Sequence, residues 1–82
     1  MKQYNKRTWL NKLTSSSTSS IVTFDGDVDY EDKTYRDTFV KISDCKCSIT
    51  LHKKNTESIE DFVDKLKLLK SELTQFINHL KK

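Results

Sequence analysis

The chain has 82 residues, of which 34% are hydrophobic and 33% charged, and its formal net charge is +3. This length is enough for one small domain whose core is only marginally sufficient, and oligomerisation is a common remedy for such a core. The apolar runs are too short for a transmembrane span or a secretory signal, which predicts a soluble, cytoplasmic protein without a membrane partner.

The charges are unevenly distributed along the chain. Residues 1–20 carry four basic and no acidic side chains, whereas residues 21–37 carry six acidic and two basic ones. The pattern therefore predicts a bipolar molecule whose ends suit different partners.

Residues 1–13 are expected to form a short helix or an N-terminal arm anchored by Trp9, Leu10 and Leu13. Basic residues alternate here with aromatic rings, an arrangement that suits nucleic-acid backbones and bases. Lys6, Arg7 and Trp9 are therefore candidate docking residues. The seven consecutive serines and threonines at 14–20 predict a mobile linker.

A clean alternation of apolar and acidic residues marks residues 21–30. Asp25, Asp27 and Asp29 would form a solvated row about 7 Å apart, too far to share a proton but suited to docking a basic partner. A calcium loop starting at Asp25 fails, because Tyr30 and Arg36 occupy its sixth and twelfth positions. One long strand with a kink or bulge at Gly26 is favoured, and a hairpin at Asp25-Gly26 stays open.

Two further strands are expected at residues 34–43 and 47–52, which would complete an antiparallel sheet over residues 21–52. Cys45 and Cys47 are expected to stay reduced and metal-free, because residues two apart on a strand lie at or beyond the limit of disulfide geometry. Cys47 would share a buried face with Ile49 and Leu51, and Cys45 would be partly exposed.

Residues 57–82 are expected to form one long helix, capped by Thr56 or Ser58. Apolar residues recur with alternating spacings of three and four, which is typical of a helix that presents one stripe to a partner. The expected fold is a single α+β domain, in which this helix packs across a three-stranded antiparallel meander. The stripe is longer than such a sheet is expected to cover, so its C-terminal half is predicted to be an oligomer interface formed by Leu69, Leu73, Phe76, Ile77 and Leu80.

No catalytic, cofactor or metal motif is present in the sequence. His52 and His79 are isolated from each other, and a single glycine excludes any glycine-rich phosphate loop. The chain is therefore not expected to be an enzyme, nor to carry a cofactor.

Several segments taken together resemble small uncharacterised proteins encoded by phages and prophages of low-GC Gram-positive bacteria. These segments are RTWLNKL (residues 7–13), FVKISDC (39–45), ITLHK (49–53) and the helix that begins with acidic residues. The resemblance implies a non-enzymatic protein that binds, and in some cases inhibits, a host protein or sequesters a signalling ligand, for example as an anti-defence factor. The alternative is a nucleic-acid-binding or regulatory accessory protein that uses the basic N-terminal arm.

Overall fold

The computed structural model describes residues 3–12, 14 and 18–82. The chain divides into two units, Met1–His52 and Lys53–Lys82. The expected class, an α+β protein with an antiparallel sheet and a C-terminal helix, is confirmed, whereas the single domain remains a prediction. The elements are β1 (Tyr4–Trp9), β2 (Ser19–Tyr30), β3 (Lys33–Asp44), β4 (Cys47–His52) and α1 (Ile59–Leu80).

The sheet has four strands rather than the expected three, because the N-terminal segment is a strand and not a helix or an arm. β1 pairs with β2 from Tyr4↔Asp25 to Trp9↔Ser20, and Leu10 continues the ladder by donating its N–H to the Ser19 carbonyl. The free edge of β2 supplies the hydrogen bonds that make this short segment extended, and the local pattern does not reveal that edge. Of the predicted arm and linker, positions 1, 2, 13 and 15–17 lie outside the described residues.

β2 begins inside the predicted linker and passes Gly26 without a bulge. Each residue from Ser19 to Tyr30 pairs with one residue of β3, so neither the hairpin at Asp25-Gly26 nor the expected bulge forms. A Cβ atom at Gly26 would lie 2.9 Å from Cγ of Gln3. Glycine is therefore required here by the close approach of Gln3, whose side-chain amide donates to the Asp27 carbonyl.

The β2–β3 hairpin extends beyond both of its neighbours. β1 reaches only to Asp25 on β2, and β4 ends with His52 opposite Phe39 on β3. Residues 26–38, which we call the hairpin arm, are therefore two-stranded in the part of the chain that the structure describes. Glu31 and Asp32 close its tip with φ values of 49° and 64°.

The sheet carries apolar side chains on both faces. Phe24 stacks on Phe39 with ring centroids 5.3 Å apart, and His52 continues the row at 5.2 Å from Phe39. The opposite face holds Val40, which is buried.

Cys47 and Ile49 share a face, as expected, but both are exposed, which corrects the predicted burial of Cys47. They line a shallow apolar depression on β4, the edge strand. Alternation fixes which face a side chain occupies, but it does not determine whether that face is covered.

The helix is two residues shorter at each end than the expected range of 57–82. Ser58 caps its N-terminus by accepting a hydrogen bond from the Asp61 N–H at 3.1 Å. Glu57 precedes the cap and forms an ion pair at 3.0 Å with Lys65, which lies nearly two helical turns beyond the start of α1. The side chain of Phe62 is only 3% exposed. Within the described ranges, no helix combines the length and apolar character that a membrane span needs.

Candidate functional site

The C-terminal half of α1 presents a contiguous apolar surface to solvent. Its members are spaced three and four residues apart, so at 100° per residue they lie on one side of the helix. Four of them are about half exposed or more: Leu73 at 51%, Phe76 at 59%, Ile77 at 49% and Leu80 at 64%. Half-buried Leu69 precedes them. We call these five residues the helix patch, and they are the residues that the sequence predicted as an oligomer interface.

The patch continues a stripe whose N-terminal part is already buried. Phe62 lies on the same side of α1 two turns before Leu69, and its ring is buried. Leu68 is also exposed, at 69%, but it points roughly 125° away from the centre of the patch. The exposed apolar surface is therefore concentrated where the stripe runs toward the C-terminus, and Leu68 is an isolated exposed leucine.

Charges around the patch are arranged in two flanks. Lys65, Glu72 and His79 follow one side of the stripe at seven-residue intervals, and Lys70 lies on the other side, two turns before Ile77. The acidic side chains concentrate in the first turns, where Glu60 and Asp61 complement the helix dipole.

The predicted acidic row does not consist of three equivalent carboxylates. Arg36 donates two hydrogen bonds of 2.7 Å to Asp25, and Thr38 donates a third of 2.8 Å. The hydrogen bonds from Arg36 are the main cause that lowers the pKa of Asp25 from 3.8 to about 2; partial burial opposes them, and Thr38 assists. Asp29 accepts a hydrogen bond from Thr34, and Asp27 is exposed.

The predicted basic docking residues lie on β1, an edge strand, and all three are exposed. Arg7 and Trp9 share one face of the sheet, and the Arg7 guanidinium carbon lies 5.7 Å from the centroid of the Trp9 ring. Lys6 points to the other face, because successive side chains of a strand alternate. The structure therefore pairs Arg7 with Trp9 and separates Lys6 from both.

Two polar contacts on the sheet were not expected from the sequence. One is the pairing of Arg36 with Asp25, and the other joins His52 to Asp37 with 3.9 Å between Nε2 and Oδ1. The first would follow from a two-residue turn at residues 31–32, which fixes the register of β2 and β3. The second would follow from the two-residue turn at residues 45–46, which fixes the register of β3 and β4.

Cys45 and Cys47 are free and exposed. Among the described residues, no group of three or more His, Cys, Asp and Glu side chains is arranged to hold a metal ion.

No protein-family model matches this chain, and neither the curated proteins nor the solved structures include a match to it.

Proposed function

We propose that this chain is a non-enzymatic binding protein that associates with a second copy of itself through the helix patch. The observation that carries the proposal is the contiguous exposed apolar surface formed by Leu73, Phe76, Ile77 and Leu80. Soluble monomers rarely leave large contiguous apolar patches in water, and such patches are typical of protein–protein contacts. A second copy is the favoured occupant because the helix, with its flanking residues 57–82, carries five acidic and five basic side chains, so two copies meet without net repulsion.

Sedimentation equilibrium at micromolar concentration tests this proposal, and we expect a dimer or a larger assembly. Leu73→Asp should raise the dissociation constant roughly tenfold or more, since burying one leucine contributes about 1.5–3 kcal/mol. The matched control is Leu68→Asp, which also introduces a charge at an exposed leucine but outside the patch. A wild-type monomer, or equal effects of the two substitutions, would contradict the proposal.

The self-associated protein would act in the cytoplasm of a host cell by binding a host protein or a small signalling ligand. Inhibition of an antiviral defence protein is one form of this role. The resemblance to phage-encoded proteins supports it, together with the uneven distribution of acidic and basic residues along the chain. Affinity capture with the wild-type chain and with a variant that lacks the charges of Asp27 and Asp29 tests whether the acidic side of β2 contributes to such binding.

Nucleic-acid binding through β1 is the second candidate, and the stacked pair of Arg7 and Trp9 favours it. An exposed ring with an adjacent guanidinium can stack on a base while the cation contacts a phosphate. Trp9 is the only tryptophan in the chain, so its fluorescence reports binding directly. Quenching by single-stranded oligonucleotides that weakens steeply with salt would support this candidate, and Arg7→Ala compared with Lys67→Ala would locate the contact.

A further inference from the structure

The direction in which two helix patches can meet is restricted by the charges beside them. In a pair of packed helices, Leu69, Leu73, Phe76 and Leu80 occupy the positions that face the partner. The residues beside them, on the two flanks, approach the flanks of the other helix. Which flanks meet depends on whether the two helices run parallel or antiparallel.

A parallel pair is unfavourable for this helix. It brings Lys65 of each copy close to Lys70 of the other copy. In parallel helices, a residue on one flank lies next to the residue of the partner's opposite flank that is five positions later in the sequence. It also collects His79, Lys81 and Lys82 of both chains at one end and aligns the two helix dipoles. Like charges at such spacing oppose association.

In an antiparallel pair, a single register gives the residues on both flanks of the patch compatible neighbours in the second copy. When Leu73 faces Phe76 of the second copy, Leu69 faces Leu80 of the second copy, since both pairs of residue numbers have the same sum. The same register sets the Glu72 carboxylate beside the His79 imidazole of the second copy. It also lays the aliphatic stem of Lys70 along Ile77 of the second copy, where its ammonium group reaches water.

We propose that the second copy docks antiparallel, with the C-terminal halves of the two helices overlapping about an axis between Leu73 and Phe76. This inference rests on the self-association proposed above and adds its direction and register. The overlap is confined to the C-terminal half because Phe62 is already buried. Residues 69–80 span roughly 18 Å at 1.5 Å per residue.

Disulfide trapping tests the direction of the pair. In the full chain with Cys45→Ser and Cys47→Ser, the variants Leu69→Cys and Leu80→Cys are prepared separately, mixed and oxidised. The antiparallel register places residue 69 against residue 80 and separates the two copies of residue 69 by about 17 Å along the helix axis. We expect a disulfide between the two different variants and none when either variant is oxidised alone. Leu68→Cys mixed with Leu80→Cys is the control and should give no disulfide.

The outcomes separate this inference from the proposal on which it rests. A dimer in which Leu80→Cys forms a disulfide with its own copy would be parallel, which overturns the inference and leaves self-association standing. A monomeric cysteine-free chain in sedimentation equilibrium would overturn both. Leu80 is 64% exposed, so Leu80→Cys should fold even if Leu69→Cys does not. In that case, a Leu80→Cys dimer that forms no disulfide between its two copies of residue 80 supports the antiparallel pair.

Discussion

Arg36 binds Asp25 diagonally across two strands. Its partner in the ladder is Asp27, and the partner of Asp25 is Thr38. The guanidinium nevertheless reaches Asp25, two pairs along on the same face, and donates from Nε to Oδ1 and from Nη2 to Oδ2, each at 2.7 Å. This two-point contact joins the base of the hairpin arm to the part of the sheet where β1 begins. Asp25 is thereby part of the framework, and Asp27 is the more accessible carboxylate.

Asp25→Asn should therefore lower the free energy of unfolding, by about 0.5–1 kcal/mol at neutral pH, since the pair is partly exposed to water. Asp27→Asn, the matched control on the same face, should leave stability unchanged or raise it slightly by relieving repulsion. Urea denaturation of both variants checks the difference. Equal effects would mean that the contact with Arg36 does not stabilise the fold.

The same pair should give stability a dependence on pH at its acid end. The pKa of Asp25 is lowered in the folded state to about 2, so its contribution is present above the ordinary carboxyl pKa and is lost as pH falls toward 2. The difference in unfolding free energy between wild type and Asp25→Asn should accordingly shrink between about pH 4 and pH 2. A difference that stays constant over this range would exclude the ion pair as its source.

Gly26→Ala should destabilise the chain through Gln3. The new methyl group would lie 2.9 Å from Cγ of Gln3, which forces that side chain to move and to give up its hydrogen bond to the Asp27 carbonyl. We expect a cost of about 1 kcal/mol. In the Gln3→Ala background the same substitution should cost less, because the Cγ of residue 3 is gone and only its Cβ, 3.3 Å from the new methyl group, remains. A double-mutant cycle measures this coupling, and additive effects would contradict it.

Residues that accept positive φ at the tip of the hairpin arm should raise the stability of the fold. Glu31 and Asp32 form a two-residue connection with both φ values positive, the geometry in which Asn-Gly is strongly preferred. Glu31→Asn combined with Asp32→Gly should raise the unfolding free energy by about 1 kcal/mol. Thermal unfolding checks this, with Glu60→Gln combined with Asp64→Asn in the helix as a control that removes the same two negative charges and should not stabilise.

Cys45 adopts a φ of 52° in the turn between β3 and β4, which is costly for a residue with a side chain. Cys45→Gly should therefore stabilise the chain by up to about 1 kcal/mol. Cys47→Ser should be nearly neutral, since Cys47 is exposed. Denaturant titration of both variants under reducing conditions measures these effects, and both thiols should react readily with a thiol reagent in the native state.

Two phenylalanines on one side of α1 should behave differently. Phe62 is buried, and Phe62→Ala should destabilise the fold by roughly 3 kcal/mol or more. Phe76 is 59% exposed, so Phe76→Ala should change the stability of a single chain little and should mainly weaken self-association. Unfolding measured at several protein concentrations separates the two effects, because only association makes stability depend on concentration.

The sequence predicts best the elements whose pattern is local. The recurrence from Phe62 to Leu80 identifies α1, and the alternation from Val22 to Tyr30 identifies β2, because each is repeated over several turns or pleats. β1 has no such run: its extended form depends on the free edge of β2, some fifteen residues away. A contact of that kind depends on the register of the sheet, not on the residues of the strand alone.

The same limit applies to the candidate site. Spacing places the five patch residues on one side of α1, but exposure depends on what covers each side chain. The repeat therefore does not predict that Phe62 is buried. Asp25, Asp27 and Asp29 look equivalent in the sequence and differ through the residues of β3 that reach them, chiefly through the position of Arg36. A two-residue turn at Glu31-Asp32 fixes that position, and the turn residues alone do not favour it over a longer loop.

Because the strands differ in length, we expect the hairpin arm to open more readily than the four-stranded part of the sheet. Within residues 26–38 each strand has one hydrogen-bonded neighbour among the described residues, whereas the residues of β2 from Ser20 to Asp25 have one on each side. An isolated two-stranded ribbon is marginal in water, so amide protons of the arm should exchange with deuterium well before those of the four-stranded part. The arm would then be a separate unit of local unfolding, whose exchange would slow when a partner binds it.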